Sequence, residues 1–319
     1  MFKNLVLISF ISLPLASEDL LDIYNEALDN DPQYKSSEYS LLAGKEFVVQ
    51  GRAGLLPNVT LSGSTNWNEY YQFDELQSAY NNNSVTARLT QPLFRLDSGF
   101  NFKRSKKLTD ASEADFAYAQ QNLIIRTVEK YFGVLRAIDN LNAAVSEEKA
   151  IKKQLDQIQQ RFEVGLSAIT EVQEAQLAYD LSVAAKIRSE GALFNAREEL
   201  NSLIGREIFS IDSLKADIVP ENPNPTTKQE WVDIALKNNY RLQASVLRRD
   251  ASQDSARSSA SEHLPKINIV GTESESNTNQ YSYEGFEDLG FQAPSETQRK
   301  NYSLSLSIPI SQGGAVSSR

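Results

Sequence analysis

With 319 residues, 40% hydrophobic and 23% charged, the chain has the composition of a globular protein of one large or two modest domains. Its formal net charge of -10 argues against a surface for nucleic acid, and the absence of cysteine excludes thiol catalysis, cysteine-ligated metals and lipid attachment through cysteine. The one histidine, His263, stands beside Leu264-Pro265 at a helix-to-strand boundary. No phosphate loop, nucleophile elbow or zinc spacing is present, so no enzyme activity, catalytic residue, cofactor or metal is expected.

Met1-Phe2-Lys3 and the apolar stretch from Leu5 to Leu15 have the charge order and length of a signal peptide over residues 1–17, too short to cross a bilayer as a helix. Leu20, Leu21, Tyr24 and Leu28 keep helical spacing until Asp31-Pro32, whose ring cannot continue a helix. A second helix is predicted from about Tyr34 to Gly54. The period then changes to two: Val59, Leu61, Gly63, Thr65 and Trp67 alternate with Asn58, Thr60, Ser62, Ser64 and Asn66, a strand with one apolar and one polar face over about 58–68. Residues 69–83, rich in Tyr, Asn, Asp and Ser, read as a loop, and Val85, Ala87 and Leu89 mark a second strand over about 84–94.

A long helical hairpin follows over about 98–205. Ile124, Val128, Tyr131, Leu135, Ile138, Leu141 and Val145 recur by threes and fours in a coiled-coil-like stripe. A helix from Ser98 to Glu163 would be about 100 Å long at roughly 1.5 Å per residue. Gly165 is expected to end it in the left-handed conformation, and Thr170 with Gln173 fits a capping box that starts the return helix. That helix carries Ile169, Val172, Tyr179, Val183 and Ile187 and stops at Gly205.

Pro220, Pro223 and Pro225 mark a linker over 220–225, after which the first part of the chain repeats. Ala235-Leu236 and Asn238 match Ala27-Leu28 and Asn30, and Leu264-Pro265-Lys266-Ile267 matches Leu56-Pro57-Asn58-Val59 at the same offset. A second strand pair is predicted over about 266–272 and 301–310. Residues 18–219 and 226–319 are thus read as two structural repeats, the second stopping after its strand pair. A complete form with roughly another hundred residues is expected, on the logic that each repeat is one supersecondary unit.

A strand with one polar and one apolar face fits either a soluble sandwich or a membrane barrel. An export signal, no cysteine and polar faces made of Ser, Thr and Asn favour the barrel, with Trp67, Tyr70, Tyr71, Tyr281 and Tyr283 as an interfacial girdle. Four strands cannot close a barrel, and an open edge in lipid would leave backbone groups unpaired at several kcal/mol each. Closure would have to come from several copies, as a dimer, trimer or larger ring.

Gln154-Leu155-Asp156-Gln157, Arg161-Phe162-x-Val164-Gly165-Leu166, Ala168-Ile169-Thr170 and Ala178-Tyr179-Asp180 resemble the first helical hairpin of the TolC family of outer-membrane export channels. The order of signal peptide, helix, strand pair, long hairpin and second strand pair extends the resemblance over essentially the whole chain. It implies a mostly α fold with membrane β-strands, in which a homotrimer forms a twelve-stranded barrel continued by a helical tunnel through the periplasm. It implies a passive exit duct for efflux or type I secretion, working with a periplasmic adaptor and an inner-membrane efflux pump or secretion ATPase, and surrounded by outer-membrane lipid. By the same resemblance Arg161, Phe162, Val164, Gly165 and Leu166 form the adaptor-contact tip, and Thr170 and Glu171 lie beside the constriction. The second hairpin of the family, with its tip motif and acidic ring, has no counterpart among these residues. The rival reading is a periplasmic adaptor or coiled-coil scaffold, which has a signal and a long hairpin but no duplicated strand pair.

Overall fold

A computed structural model describes residues 18–214, 222–281 and 295–310. The expected signal peptide at 1–17, Tyr283, the first residues of the expected linker and the last nine residues lie outside them. The elements are, in order, α1 (Leu20–Asn30), α2 (Pro32–Ala53), β1 (Asn58–Gln72), β2 (Glu75–Phe94), α3 (Leu96–Glu163), α4 (Ile169–Ile204), α5 (Lys228–Asn238), α6 (Tyr240–Ala260), β3 (Lys266–Tyr281) and β4 (Ser295–Ser307). The chain is mostly helical with one sheet, and a short helix, a longer helix and an antiparallel strand pair occur twice in the same order. The residues group into two compact units.

The first unit comprises residues up to Tyr39 and Phe116–Asn239. Ile23 and Ala27 of α1 are sealed against Leu123, Tyr131 and Val134 of α3 and Leu200, Leu203 and Ile204 of α4. The start of α1 is fixed by a reciprocal capping box in which the Asp19 carboxylate accepts from the Asp22 amide at 2.8 Å. Pro32 opens α2, where its missing N–H costs nothing. The α1–α2 junction is then locked by Asp31, which is almost fully buried and accepts from both terminal nitrogens of Arg126 at 2.6 and 3.2 Å. Burial pushes the Asp31 carboxyl up, but the hydrogen bonds from Arg126 and the Tyr34 amide more than reverse it, and the net shift is downward. Arg206 ties the end of α4 to α1 through Glu26 at 2.6 Å and Glu18 at 2.8 Å.

The predicted stripe on α3 coincides only in part with the face the chain covers: Tyr131 is buried and Leu135 and Ile138 pack against the core. Leu123, Thr127, Tyr131 and Val134 are buried, whereas Ile124 and Val145 are exposed. The helix carries large apolar residues on more than one side, so spacing alone does not select the covered one. Farther along α3 and on α4 the buried positions include Ala144, Ala175 and Ser182, small residues that a search for hydrophobic side chains passes over.

The second unit comprises Ser40–Asp115 and the residues from Tyr240 onward. Its antiparallel sheet runs in the order β1-β2-β3-β4. The expected loop at 69–83 is instead strand, closed by a two-residue turn at Phe73-Asp74 with φ of 53° and 63°. Positive φ at both positions is the geometry of the primed hairpin turns, normally announced by Asn-Gly or Asp-Gly. Phe-Asp conceals it. The later strands also shift from their expected limits: β3 continues to Tyr281, and β4 starts at Ser295 and ends at Ser307 rather than residue 310. Backbone pairing needs no apolar alternation, and side-chain bonds such as Thr65 Oγ1 to Asn81 at 3.0 Å and Ser276 Oγ to Asn82 at 3.1 Å support the polar ends.

Beneath the sheet, α2 and α3 approach closely at a glycine–serine seam. A Cβ on Gly44 would lie 2.3 Å from Ser112 Oγ, and one on Gly51 2.4 Å from Ser105 Oγ. The seven-residue step on each helix keeps these pairs on one face. Thr109 Oγ1 donates to the Gly44 carbonyl at 2.9 Å.

Candidate functional site

Two features are the candidates for function: the faces of the sheet and the α3–α4 turn. The strand register sets the first. Val59 opposes Leu89, Leu89 opposes Gly271 and Gly271 opposes Tyr302, while Ile269 opposes Leu304 and Ile267 opposes Leu306. Opposed residues share a face, so these side chains form one apolar surface across all four strands. It is uncovered: Val59 is 71%, Leu61 76%, Trp67 74% and Tyr302 79% exposed. From Val59 to Trp67 this side of β1 runs about 26 Å at roughly 3.3 Å per residue, comparable to the apolar band of outer-membrane barrels, about 25 Å tall; on β3 and β4 the apolar side chains give way sooner, at Glu273 and Lys300, which pair on this face at 2.8 Å.

The opposite face is predominantly polar, with Val270 of β3 an apolar exception. Ser62, Ser64, Ser84, Thr86, Ser303 and Ser305 lie on it, with Ser274 and Ser276 continuing it along β3 between Glu273, Glu275 and Asn277, and Ser64 Oγ lies 2.9 Å from Ser84 Oγ. A sheet with one water-facing and one lipid-facing side is what barrel walls require. Where the sheet meets the helices, Asp97 is nearly buried and accepts from Arg95 Nη2 at 2.7 Å and Nε at 2.9 Å, with Lys266 Nζ at 3.2 Å. The Arg95 hydrogen bonds, aided by Lys266, hold its carboxyl far below the usual carboxylate range against the opposing effect of burial. Ser258 Oγ donates to the Asp97 carbonyl at 2.8 Å. One residue thereby joins the starts of α3 and β3 to the end of α6. Sequence patterning missed this latch because Lys266 and Ser258 lie far from Asp97 in the chain.

At the turn, Gly165 has φ of 77°, the left-handed conformation expected of it. The Leu166 amide donates to the Arg161 carbonyl at 2.8 Å and the Gly165 amide to the Phe162 carbonyl at 2.9 Å, the paired bonds of a Schellman motif. The capping box expected at Thr170 and Gln173 is absent: Ala168 is the N-cap of α4 and makes no side-chain cap bond. Thr170 therefore falls inside the first turn, where its hydroxyl has no free amide three residues on to accept from. Glu171 accepts from Ser167 Oγ and favourably places its charge at a helix N-terminus. Arg161, Thr170 and Glu171 are exposed, Phe162 is 40% exposed, and Val164 and Leu166 are each 70% exposed. The turn brings the five expected contact residues together, while Thr170 and Glu171 sit on the return side.

Among the described residues no group of His, Asp or Glu could hold a metal ion, and no helix is long and apolar enough to cross a membrane. The fold matches that of the Campylobacter jejuni CmeC outer membrane channel with a TM-score of 0.74 at 17% identity, covering 94% of this chain and 63% of that one. In sequence the chain is 30% identical over 313 residues to outer membrane protein TolC of Vibrio cholerae, covering 97% of this chain and 68% of that protein. It is 27% identical to the alkaline protease secretion protein AprF of Pseudomonas aeruginosa, covering 92% of this chain and 61% of that one. The chain thus spans roughly two thirds of the length of these relatives. Residues 23–206 and 231–319 match the model of the outer membrane efflux protein family, and the chain belongs to that family.

Proposed function

We propose that this chain is a subunit of a passive outer-membrane exit duct for efflux or type I secretion. The observation that carries the reading is the sheet: four antiparallel strands, with no further strand paired on β1 or β4 among the described residues, one predominantly polar face and one exposed, predominantly apolar face. Open edges in lipid are too costly to persist, and β1 of one copy pairing with β4 of the next closes the wall. Three copies give the twelve-stranded ring that the family resemblance implies. The duct itself performs no chemistry; an inner-membrane efflux pump or secretion ATPase supplies the energy through a periplasmic adaptor. Similarity to a TolC protein and to a protease secretion protein supports both export routes.

The adaptor docks on Arg161, Phe162, Val164, Gly165 and Leu166, where exposed apolar side chains crown a rigid turn. Thr170 and Glu171 lie beside the constriction, and the Ser167–Glu171 bond holds the carboxylate within its own tip until the adaptor engages. Fractionation tests the channel reading: detergent-extracted, heat-modifiable trimers are expected, and release of the protein by osmotic shock would contradict it in favour of a periplasmic scaffold. Gly165→Pro is expected to abolish export while leaving trimers in the membrane; normal export by that variant would refute the tip assignment.

A further inference from the structure

The chain is acidic overall, yet the first turns of α3 are not. Phe100-Asn101-Phe102-Lys103-Arg104-Ser105-Lys106-Lys107 follows directly on the end of β2 at Phe94. Between Arg95 and Lys107 the only acid is Asp97, already neutralised by Arg95 and Lys266. None of Lys103, Arg104, Lys106 and Lys107 has a carboxylate partner among the described residues; Arg104 contacts only the Asn101 side chain, at 3.3 Å. Arg52, at the end of α2, adds another exposed cation on the neighbouring helix that touches Ser105 and Phe102 through Gly51.

The placement of these cations is ordered. At about 100° per residue, Lys103 and Lys107 fall on the side of α3 opposite Ser105, which faces α2, and Lys106 falls opposite Asp97, whose carbonyl meets α6 at Ser258. The same side carries Leu96, which is 40% exposed, and Phe100. It continues the apolar end of β2, where Leu93 and Phe94 are 55% and 42% exposed. Lys103 Nζ stands 5.3 Å from the centre of the Phe100 ring, and Lys106 Nζ 4.6 Å from that of Phe102. An apolar surface giving way, within two turns of helix, to aromatic rings bearing unpaired ammonium groups is the profile of a segment at a membrane–water boundary.

We infer that Lys103, Arg104, Lys106 and Lys107, with Phe100 and Phe102, form a collar that binds the phosphate headgroups of anionic phospholipids in the periplasmic leaflet of the outer membrane. The inference rests on the reading that the strands span that membrane and the helices lie on its periplasmic side. The collar fixes the depth of the strand sheet: the apolar strand face sets the span, and the cations clamp its lower edge to the headgroup layer. Each cation near an anionic surface strengthens attachment roughly fivefold, and salt weakens the effect.

The test uses the full chain extracted from membranes. Binding of phosphatidylglycerol and of phosphatidylethanolamine is followed by native mass spectrometry, with inorganic phosphate as competitor. Strong preference for phosphatidylglycerol is expected, falling roughly fivefold per charge removed in K103Q/K106Q/K107Q and unchanged in K152Q/K153Q, which removes exposed charge near the C-terminal end of the same helix. Equal binding of the two lipids, or an undiminished preference in the collar variant, would overturn the inference, as would displacement of lipid by inorganic phosphate at equal concentration. Carbonate extraction of the unaltered chain separates the two readings. A chain stripped from membranes by carbonate would overturn both, whereas a chain retained there without headgroup preference would overturn the collar alone.

Discussion

Single residues set several features of this chain, each through a different physical effect. Gly165 is held at φ of 77° with no side-chain neighbour within 4 Å, so its constraint is conformational and not steric. Gly165→Ala is expected to cost about 1–2 kcal/mol, read from urea unfolding; an unchanged midpoint would show that the turn relaxes. At Gly44 and Gly51 the constraint is space, since an added Cβ would overlap Ser112 or Ser105. Alanine at either position is expected to cost roughly 1–3 kcal/mol, and a smaller serine partner is not available to relieve it. Gly133 and Gly191 sit in helices with nothing within 4 Å, so alanine there is expected to stabilise the isolated chain by up to about 1 kcal/mol. The opposite signs make a stringent comparison in one denaturation series.

Asp97 links residue chemistry to pH. Its carboxyl is depressed in the folded chain by Arg95 and Lys266, so the folded state binds the proton less tightly than the unfolded chain. The stabilisation is fully present above the unfolded value, about 3.9, and is lost as pH falls below it toward the folded value. Asp97→Asn is expected to lower stability by roughly 2 kcal/mol at pH 7, and the gap to the unaltered chain should close as the pH drops below about 4. A gap of constant size in thermal melts across that range would remove the charge from the explanation.

At the scale of elements, much of the architecture is written in short-range chemistry. Pro32 separates α1 from α2, Gly205 ends α4 with φ of 77°, and the two-residue alternation from Val59 to Trp67 names both the strand and its faces. The repeat was legible because Leu264-Pro265 reproduces Leu56-Pro57 at the same offset as the helix match. The strand ends were not, because Asn, Ser and Tyr side chains pair across the ladder without apolar alternation, and Phe73-Asp74 makes its turn without the glycine that usually signals one. The buried face of α3 was only partly legible: the predicted stripe shared Tyr131 with it and placed Leu135 and Ile138 against the same core, while Thr127 and Ala137 belong to the covered side and are not conspicuously hydrophobic. Of the candidate site, the turn at Gly165 could be read directly from its glycine. The cap at Ala168 could not, since the Thr170 and Gln173 pattern is a genuine capping signature set two residues too late. Long-range pairs such as Asp31 with Arg126 leave no local trace at all.

The whole molecule follows from the sheet. A wall with Val59, Leu61, Tyr302 and Leu304 on one side and Ser62, Thr86, Ser274 and Ser303 on the other is stable only where one side meets lipid and the other water. Reversing that polarity at one point is correspondingly costly: Leu61→Arg is expected to block membrane integration, at about 2–4 kcal/mol for a cation at the bilayer midplane, whereas Ser62→Arg should leave the membrane-bound fraction unchanged. The absence of cysteine among these 319 residues opens the most direct test of the account, with single-cysteine variants read against the unaltered protein as the labelling blank. With cells intact and a membrane-impermeant maleimide small enough to enter the duct, Ser62→Cys, Thr86→Cys and Ser274→Cys are expected to label, and Val59→Cys, Leu61→Cys and Leu304→Cys to stay protected. Labelling of the apolar set, or equal labelling of both, would contradict a lipid-embedded wall around a water-filled bore.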